Sequence, residues 1–84
     1  MITRIELQQY RRMTDHHRRS PEARAFRRRL EAAMADMPLE YRLLIVYRYF
    51  YRMSWVAVGM RMHYSESHVR YYLMRKVMKE LERA

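Results

Sequence analysis

An all-α fold of about five helices is expected from three features of the chain: few turn residues, a composition rich in helix formers, and apolar positions recurring every three or four residues. One Gly and two Pro interrupt 84 residues in which Arg, Glu, Ala, Met and Leu prevail. Half of the residues are apolar, enough for a core. A chain this short nevertheless buries only roughly 60 to 65% of its unfolded surface, which favours oligomerisation.

A first helix is expected to start after Thr3, whose hydroxyl can accept an orphan backbone N–H while Glu6 reaches back in a capping box, and to run to about His16. The stretch Asp15-His16-His17-Arg18-Arg19 is polar with no apolar face. Ser20-Pro21-Glu22 then supplies an N-cap, a Pro in the first turn and an acid beside it, the clearest helix start in the sequence. That second helix sets Ala23, Phe26, Leu30, Ala33, Met34 and Met37 on one side, and leaves a basic face with Arg24, Arg27, Arg28 and Glu31 elsewhere. Met37-Pro38 marks the next boundary, since a residue before Pro is pushed out of the α region. The helix from Pro38 to about Arg52 has two apolar faces, Tyr41, Leu44, Ile45 and Tyr49 on one and Leu43, Val46, Tyr47 and Phe50 on the other, so it is expected to be central. Ser54 caps a short helix from Trp55 to about Met62. Ser65 caps a last one from Glu66 to about Leu81, with Val69, Tyr72, Leu73, Val77 and Leu81 inward. The chain thus divides into an N-terminal helical extension, 1–37, which completes the core or forms a dimer, and a unit covering 38–84.

Residues 54 to 72 have the spacing of a helix-turn-helix, with Val58, Met62, Tyr64, Val69 and Tyr72 as apolar anchors. Gly59 falls where the crossing helices approach most closely, which explains a helix-interior Gly that otherwise costs about 1 kcal/mol. The turn, His63-Tyr64, lacks the Gly often found there.

The landmarks Arg48-Tyr49, Ser54-Trp55, Val58-Gly59, Met62-His63-Tyr64-Ser65, Val69 and Leu81 share their order with a known family. Over residues 38–82 the chain resembles the last domain of bacterial sigma factors, which reads the minus-35 promoter element, and in particular the sigma-factor-like helix-turn-helix proteins of bacteriophages and prophages. Val56 and Ala57 depart from that pattern, replacing paired acids, and residues 1–37 match nothing in it. The resemblance implies a sigma-like C-terminal helix-turn-helix in a transcription regulator of the bacterial cytoplasm. Its partner would be double-stranded DNA, with an RNA polymerase contact or a homodimer adding specificity.

Charge points the same way. The chain carries 18 Lys and Arg against 9 Asp and Glu, a net charge of +9. From Tyr41 to Lys79 the basic residues Arg42, Arg48, Arg52, Arg61, Arg70, Arg75, Lys76 and Lys79 face the single acid Glu66. Such an excess supplies phosphate contacts, whereas bases are read by side chains near the start of the inserted helix. With the inward stripe removed, Ser65, Glu66, Ser67, Arg70, Tyr71 and Met74 are expected to face outward, with His68 near the edge. Arg70 suits guanine O6 and N7, Glu66 a cytosine amino group, and Ser67 a base or a phosphate. The base-reading candidates are therefore Ser65, Glu66, Ser67, His68, Arg70 and Tyr71; Ser54, Arg61, Arg75 and Lys76 suit the backbone.

Other chemistries have little support. Absence of Cys removes disulfides and thiolate zinc sites, and no apolar run approaches the roughly 20 residues of a membrane span. A soluble, cytosolic protein without membrane partners is expected. His16-His17 cannot both face one ion from a regular helix, and His63 and His68 lack acidic companions, so no metal is expected. The nine Met suit core gaps or an adaptable interface, not a cofactor. No pair of acids, Gly-rich loop or nucleophile motif points to an enzyme. The Arg27-Arg28-Arg29 run reads as a solvated helix face, with an extended phosphate footprint as the alternative. Tyr41, Tyr47, Tyr49, Phe50, Tyr51 and Trp55 read as core or interface in preference to base-stacking surfaces. Two rival functions stay open: a helical protein-interaction module that uses the sigma-like shape without reading DNA, and the DNA-recognising part of a phage packaging complex.

Overall fold

The computed structural model describes residues 1–83, and among these it is all-helical, without strands. Helix α1 spans Arg4–Arg12, a single 3-10 turn follows at His17–Arg19, and α2 spans Pro21–Met34. Helix α3, Leu39–Ile45, runs on into a π-helical turn at Val46–Phe50. Helix α4 spans Trp55–Met62, and α5, Met74–Arg83, is entered through a π-helical segment at His68–Leu73, so the last rod is helical from 66 to 83.

The starts are where the capping chemistry puts them. Thr3 Oγ1 accepts the Glu6 N–H at 3.2 Å while Glu6 Oε1 accepts the Thr3 N–H at 3.1 Å, completing the capping box. Ser20, Ser54 and Ser65 likewise accept the backbone N–H of Ala23, Ala57 and His68 at 3.2, 3.1 and 3.2 Å. Pro38 occupies the N-cap position, so the third helix begins at Leu39, one residue later than expected.

Helix α5 packs against α2 and α3, and α1 lies against the π turn of α3. One core joins Leu7 of α1, Leu30 of α2, Leu44 and Ile45 of α3, Val58 of α4 and Leu81 of α5, all with no measurable exposure. Residues 1–37 and the remainder of the chain are thus halves of one apolar interior, and the Ile2 N–H reaches the Leu81 carbonyl at 3.3 Å. As expected of a central helix, α3 and its π turn bury Leu44, Ile45 and Tyr49 and pack Tyr41, Val46, Tyr47 and Phe50 against the same core. Tyr51, expected with the core aromatics, is exposed instead.

Two expectations fail for identifiable reasons. The first helix stops at Arg12, not His16, because Met13 is extended at φ −64°, ψ 139°. The freed carbonyls find arginine partners: Arg18 Nη2 donates to Tyr10 O at 3.0 Å and Arg52 Nη2 to Met13 O at 2.7 Å. The polar stretch around Arg18 therefore folds inward in part, with the Arg18 guanidinium 4.1 Å from the Tyr10 ring centroid. The last rod's inward stripe is also rephased. Val69, Leu73, Val77 and Leu81 are buried as expected, but Tyr72 is 48% exposed and Met74, expected outside, is fully buried. A π-helical turn stacks residues five apart, so Val69 is followed inward by Met74, whose Sδ lies 3.8 Å from the buried Tyr49 hydroxyl.

The carbonyls at the end of the π turn and in the linker after it are satisfied the same way. Arg18 Nη1 and Nη2 donate to Phe50 O at 2.8 Å and Tyr49 O at 2.6 Å. Arg11 Nη2 donates to Arg52 O at 3.2 Å, and Arg48 Nη1 to Met53 O at 3.0 Å. Burial lowers the pKa of Arg18 and Arg48 from the ordinary arginine value.

Because Arg18 donates both to Tyr10 O of α1 and to Tyr49 O and Phe50 O of the π turn, Arg18→Ala is expected to destabilise the fold by about 2 to 4 kcal/mol, through lost charged hydrogen bonds and stranded carbonyls. Arg18→Lys should recover only part, since an ammonium cannot bridge carbonyls on two helices as a planar fork does. Urea unfolding checks this as a lowered midpoint with an unchanged slope.

Candidate functional site

The turn between α4 and the last rod is set by one glycine and one strained residue. His63 closes α4 in the left-handed region at φ 62°, ψ 39°, and the Tyr64 N–H bonds back to Gly59 O at 2.9 Å, as the His63 N–H does to Met60 O at 3.4 Å. These are the paired bonds of a Schellman ending, with His where Gly is usual. A Cβ on Gly59 would sit 2.8 Å from the Tyr64 carbonyl oxygen, so the close approach expected at this glycine is to the backbone of the turn. Of the expected anchors, Val58 and Val69 are buried and Met62 is half-buried, while Tyr64 and Tyr72 lie at the surface.

The rod that follows presents Ser65, Glu66, Ser67, Arg70 and Tyr71 to solvent. Ser65 is engaged as the N-cap, and its hydroxyl lies 3.5 Å from that of Ser67. Glu66 and Arg70 form a half-exposed pair at 3.6 Å. A pair of this type is worth about 0.3 to 0.5 kcal/mol, so either partner is readily released to another ligand. His68 is half-buried in an aromatic ladder, its ring centroid 4.2 Å from Tyr64 and 4.9 Å from Tyr72, and Lys76 Nζ continues the ladder 4.9 Å from the Tyr72 ring. With phenols against it on both sides, only the edge of the imidazole is left for hydrogen bonding. Ser54 is engaged in capping α4, and Arg61 is exposed, with its guanidinium 5.8 Å from the Tyr47 ring.

Two clefts border this unit. One, of about 580 Å³, lies between α1 and the last rod and is lined by Arg4, Gln8, Arg48, Tyr49, Trp55, Arg70, Tyr71 and Arg75. It holds four arginines and, among the described lining residues, no carboxylate. The other, of about 570 Å³, is largely apolar and lies between the start of α3 and the α4 turn, where Leu39, Leu43, Tyr47, Met62 and Tyr64 meet. Sequence reasoning brought Arg70, Tyr71 and Arg75 together but missed Arg4 and Gln8, whose place beside them is set by tertiary packing that leaves no local signal. It also counted Arg48 and Arg52 as surface cations. Arg48 is only 9% exposed, with its guanidinium 4.4 Å from the Trp55 ring, and Arg52 bonds Met13 O and Asp15. In the Arg27-Arg28-Arg29 run, Arg27 pairs with Glu31 at 3.2 Å and Arg29 with Glu6 at 3.1 Å, and all three are exposed.

No cluster of three or more metal-ligating side chains occurs among the described residues, and no helix there is long and apolar enough to cross a membrane. No protein-family model matches the chain, and neither a curated protein nor a solved structure matches it.

The turn makes a paired prediction of opposite sign. Gly59→Ala should destabilise by roughly 1 to 3 kcal/mol, because the clash with backbone outweighs the gain in helix propensity. His63→Gly should stabilise by about 0.5 to 1 kcal/mol by removing left-handed strain. Thermal melts of both variants, read against wild type, check the two signs.

Proposed function

We propose that this protein binds duplex DNA in a sequence-specific way through the helix-turn-helix formed by α4 and the last rod, as a transcription regulator of the sigma-factor-like phage and prophage type. The observation that carries this reading is the leading end of the rod: Ser65, Glu66, Ser67, Arg70 and Tyr71 stand free of the core, with the cations Arg61, Arg75 and Lys76 in the same unit. Polar side chains at the start of an outward-facing helix are what major-groove readout requires, and flanking cations are what phosphate positioning requires. In this reading Arg70 exchanges its weak pairing with Glu66 for a guanine edge, and Glu66 becomes available to a cytosine amino group. A single unit of this kind reads few base pairs, so a homodimer or a polymerase contact supplies the remaining specificity.

A second reading is favoured by the apolar cleft beside α3. Leu39 is 61% exposed there, at the rim of a pocket that would accept an apolar side chain from a protein partner such as RNA polymerase. A module acting only through that surface would show no sequence preference on DNA.

Selection of bound sequences from random duplexes at physiological salt separates the two. On the selected sequence, Arg70→Ala should cost about 1 to 3 kcal/mol while leaving random DNA nearly unaffected. Lys76→Ala should weaken both alike and reduce the log–log salt slope by about 0.9. Equal losses from both substitutions, or no enriched sequence, would overturn the assignment.

A further inference from the structure

The α1 side of the arginine cleft, Arg4 and Gln8, has no part in the proposed DNA readout. Arg4 and Gln8 stand one helical turn apart on α1, opposite Arg70, Tyr71 and Arg75, and the buried Arg48 closes the inner wall with Trp55. Arg48 donates its Nη1 to Met53 O from the inner wall, with its guanidinium against Trp55. Arg4 and Arg75, both exposed at the mouth of this cleft with no carboxylate among its described lining residues, converge on a position where an anion would be attracted. Guanidinium groups fit phosphate oxygens in particular, two donors at a time. Arg70 and Arg75 belong to the rod that would lie in the major groove, and the phosphates of the groove's rim lie beside such a rod.

We infer that this cleft seats a backbone phosphate of the bound duplex, so that Arg4 and Gln8 of the N-terminal helix belong to the DNA footprint. The inference rests on the proposed DNA-binding function and extends it to α1, which carries none of the base-reading candidates. In this arrangement Arg4 and Arg75 hold the phosphate from either side and Gln8 donates from its amide. The contact carries no base information, so it strengthens binding on every sequence.

The test uses the full chain, a labelled duplex of the selected sequence and one of random sequence, titrated across a range of salt. Arg4 is exposed and makes no side-chain hydrogen bond or ion pair among the described residues, so Arg4→Ala leaves folding intact. Its log–log salt slope should fall by about 0.9 on both duplexes, so wild type's advantage over the variant shrinks about 3.5-fold between roughly 50 and 200 mM salt. Arg4→Lys should keep the wild-type slope, and Arg24→Ala, on the exposed face of α2 and outside the cleft, should leave slope and affinity unchanged. Wild-type slope and affinity in Arg4→Ala, with wild type binding the duplex, would overturn the phosphate seat and leave the DNA-binding proposal standing. If wild type binds neither duplex, both readings fall. A second arm melts the protein in inorganic phosphate against chloride at matched ionic strength. A phosphate-dependent rise in melting temperature lost in Arg4→Ala, without duplex binding, would assign the cleft to a free phosphate ligand and overturn the duplex as its source.

Discussion

The fold depends on arginine side chains that close helix ends. A helix leaves its last carbonyls without partners, and those of α1 and of the π turn after α3 lie close enough, in part-buried surroundings, for one guanidinium to reach both. Arg18 and Arg52 supply donors at the helix ends, Arg18 to both at once, while Arg11 and Arg48 hold the carbonyls of the linker at Arg52 and Met53. The positive charge of each guanidinium also meets the negative end of a helix dipole. This network does for the α1–α3 junction what glycine-based endings do elsewhere, and it lets both helices stop abruptly without a glycine.

That network changes the meaning of the chain's basicity. A net charge of +9 suggests a protein covered in free cations, yet several arginines answer to backbone carbonyls and not to solvent. What is left for a polyanion is concentrated along the last rod and in the cleft beside it. Local placement therefore matters more than the total: Arg4 and Arg75 share one cleft with Arg70, which pairs only weakly with Glu66, whereas Arg27 and Arg29 are balanced by Glu31 and Glu6 at shorter range.

The helix starts were legible because each is decided locally. Thr3 with Glu6, Ser20 with Pro21, Ser54 and Ser65 each bond within their own first turn, and nothing distant competes with them. The end of α1 was not legible, since it is decided by Arg18 and Arg52 arriving from other parts of the chain. The two π-helical segments were hidden for a related reason. Periodicity of 3.6 residues predicts Tyr72 inside and Met74 outside, and only packing against Tyr49 reveals the five-residue step that reverses them. Within the candidate site, the outward residues from Ser65 to Tyr71 precede or fall early in that step, so their exposure could be read from spacing. The contribution of α1 could not, because nothing around Arg4 or Gln8 announces what lies across from them.

Trp55 is the chain's one tryptophan, and it stands in the wall of the arginine cleft with the Arg48 guanidinium against its face. Indole emission is sensitive to a nearby cation and to local polarity, and at the red edge of excitation the eight tyrosines are silent. The molecule thus carries its own optical label at that spot, and any event that displaces Arg48 or changes the hydration of the wall registers in a single intrinsic fluorophore without chemical modification.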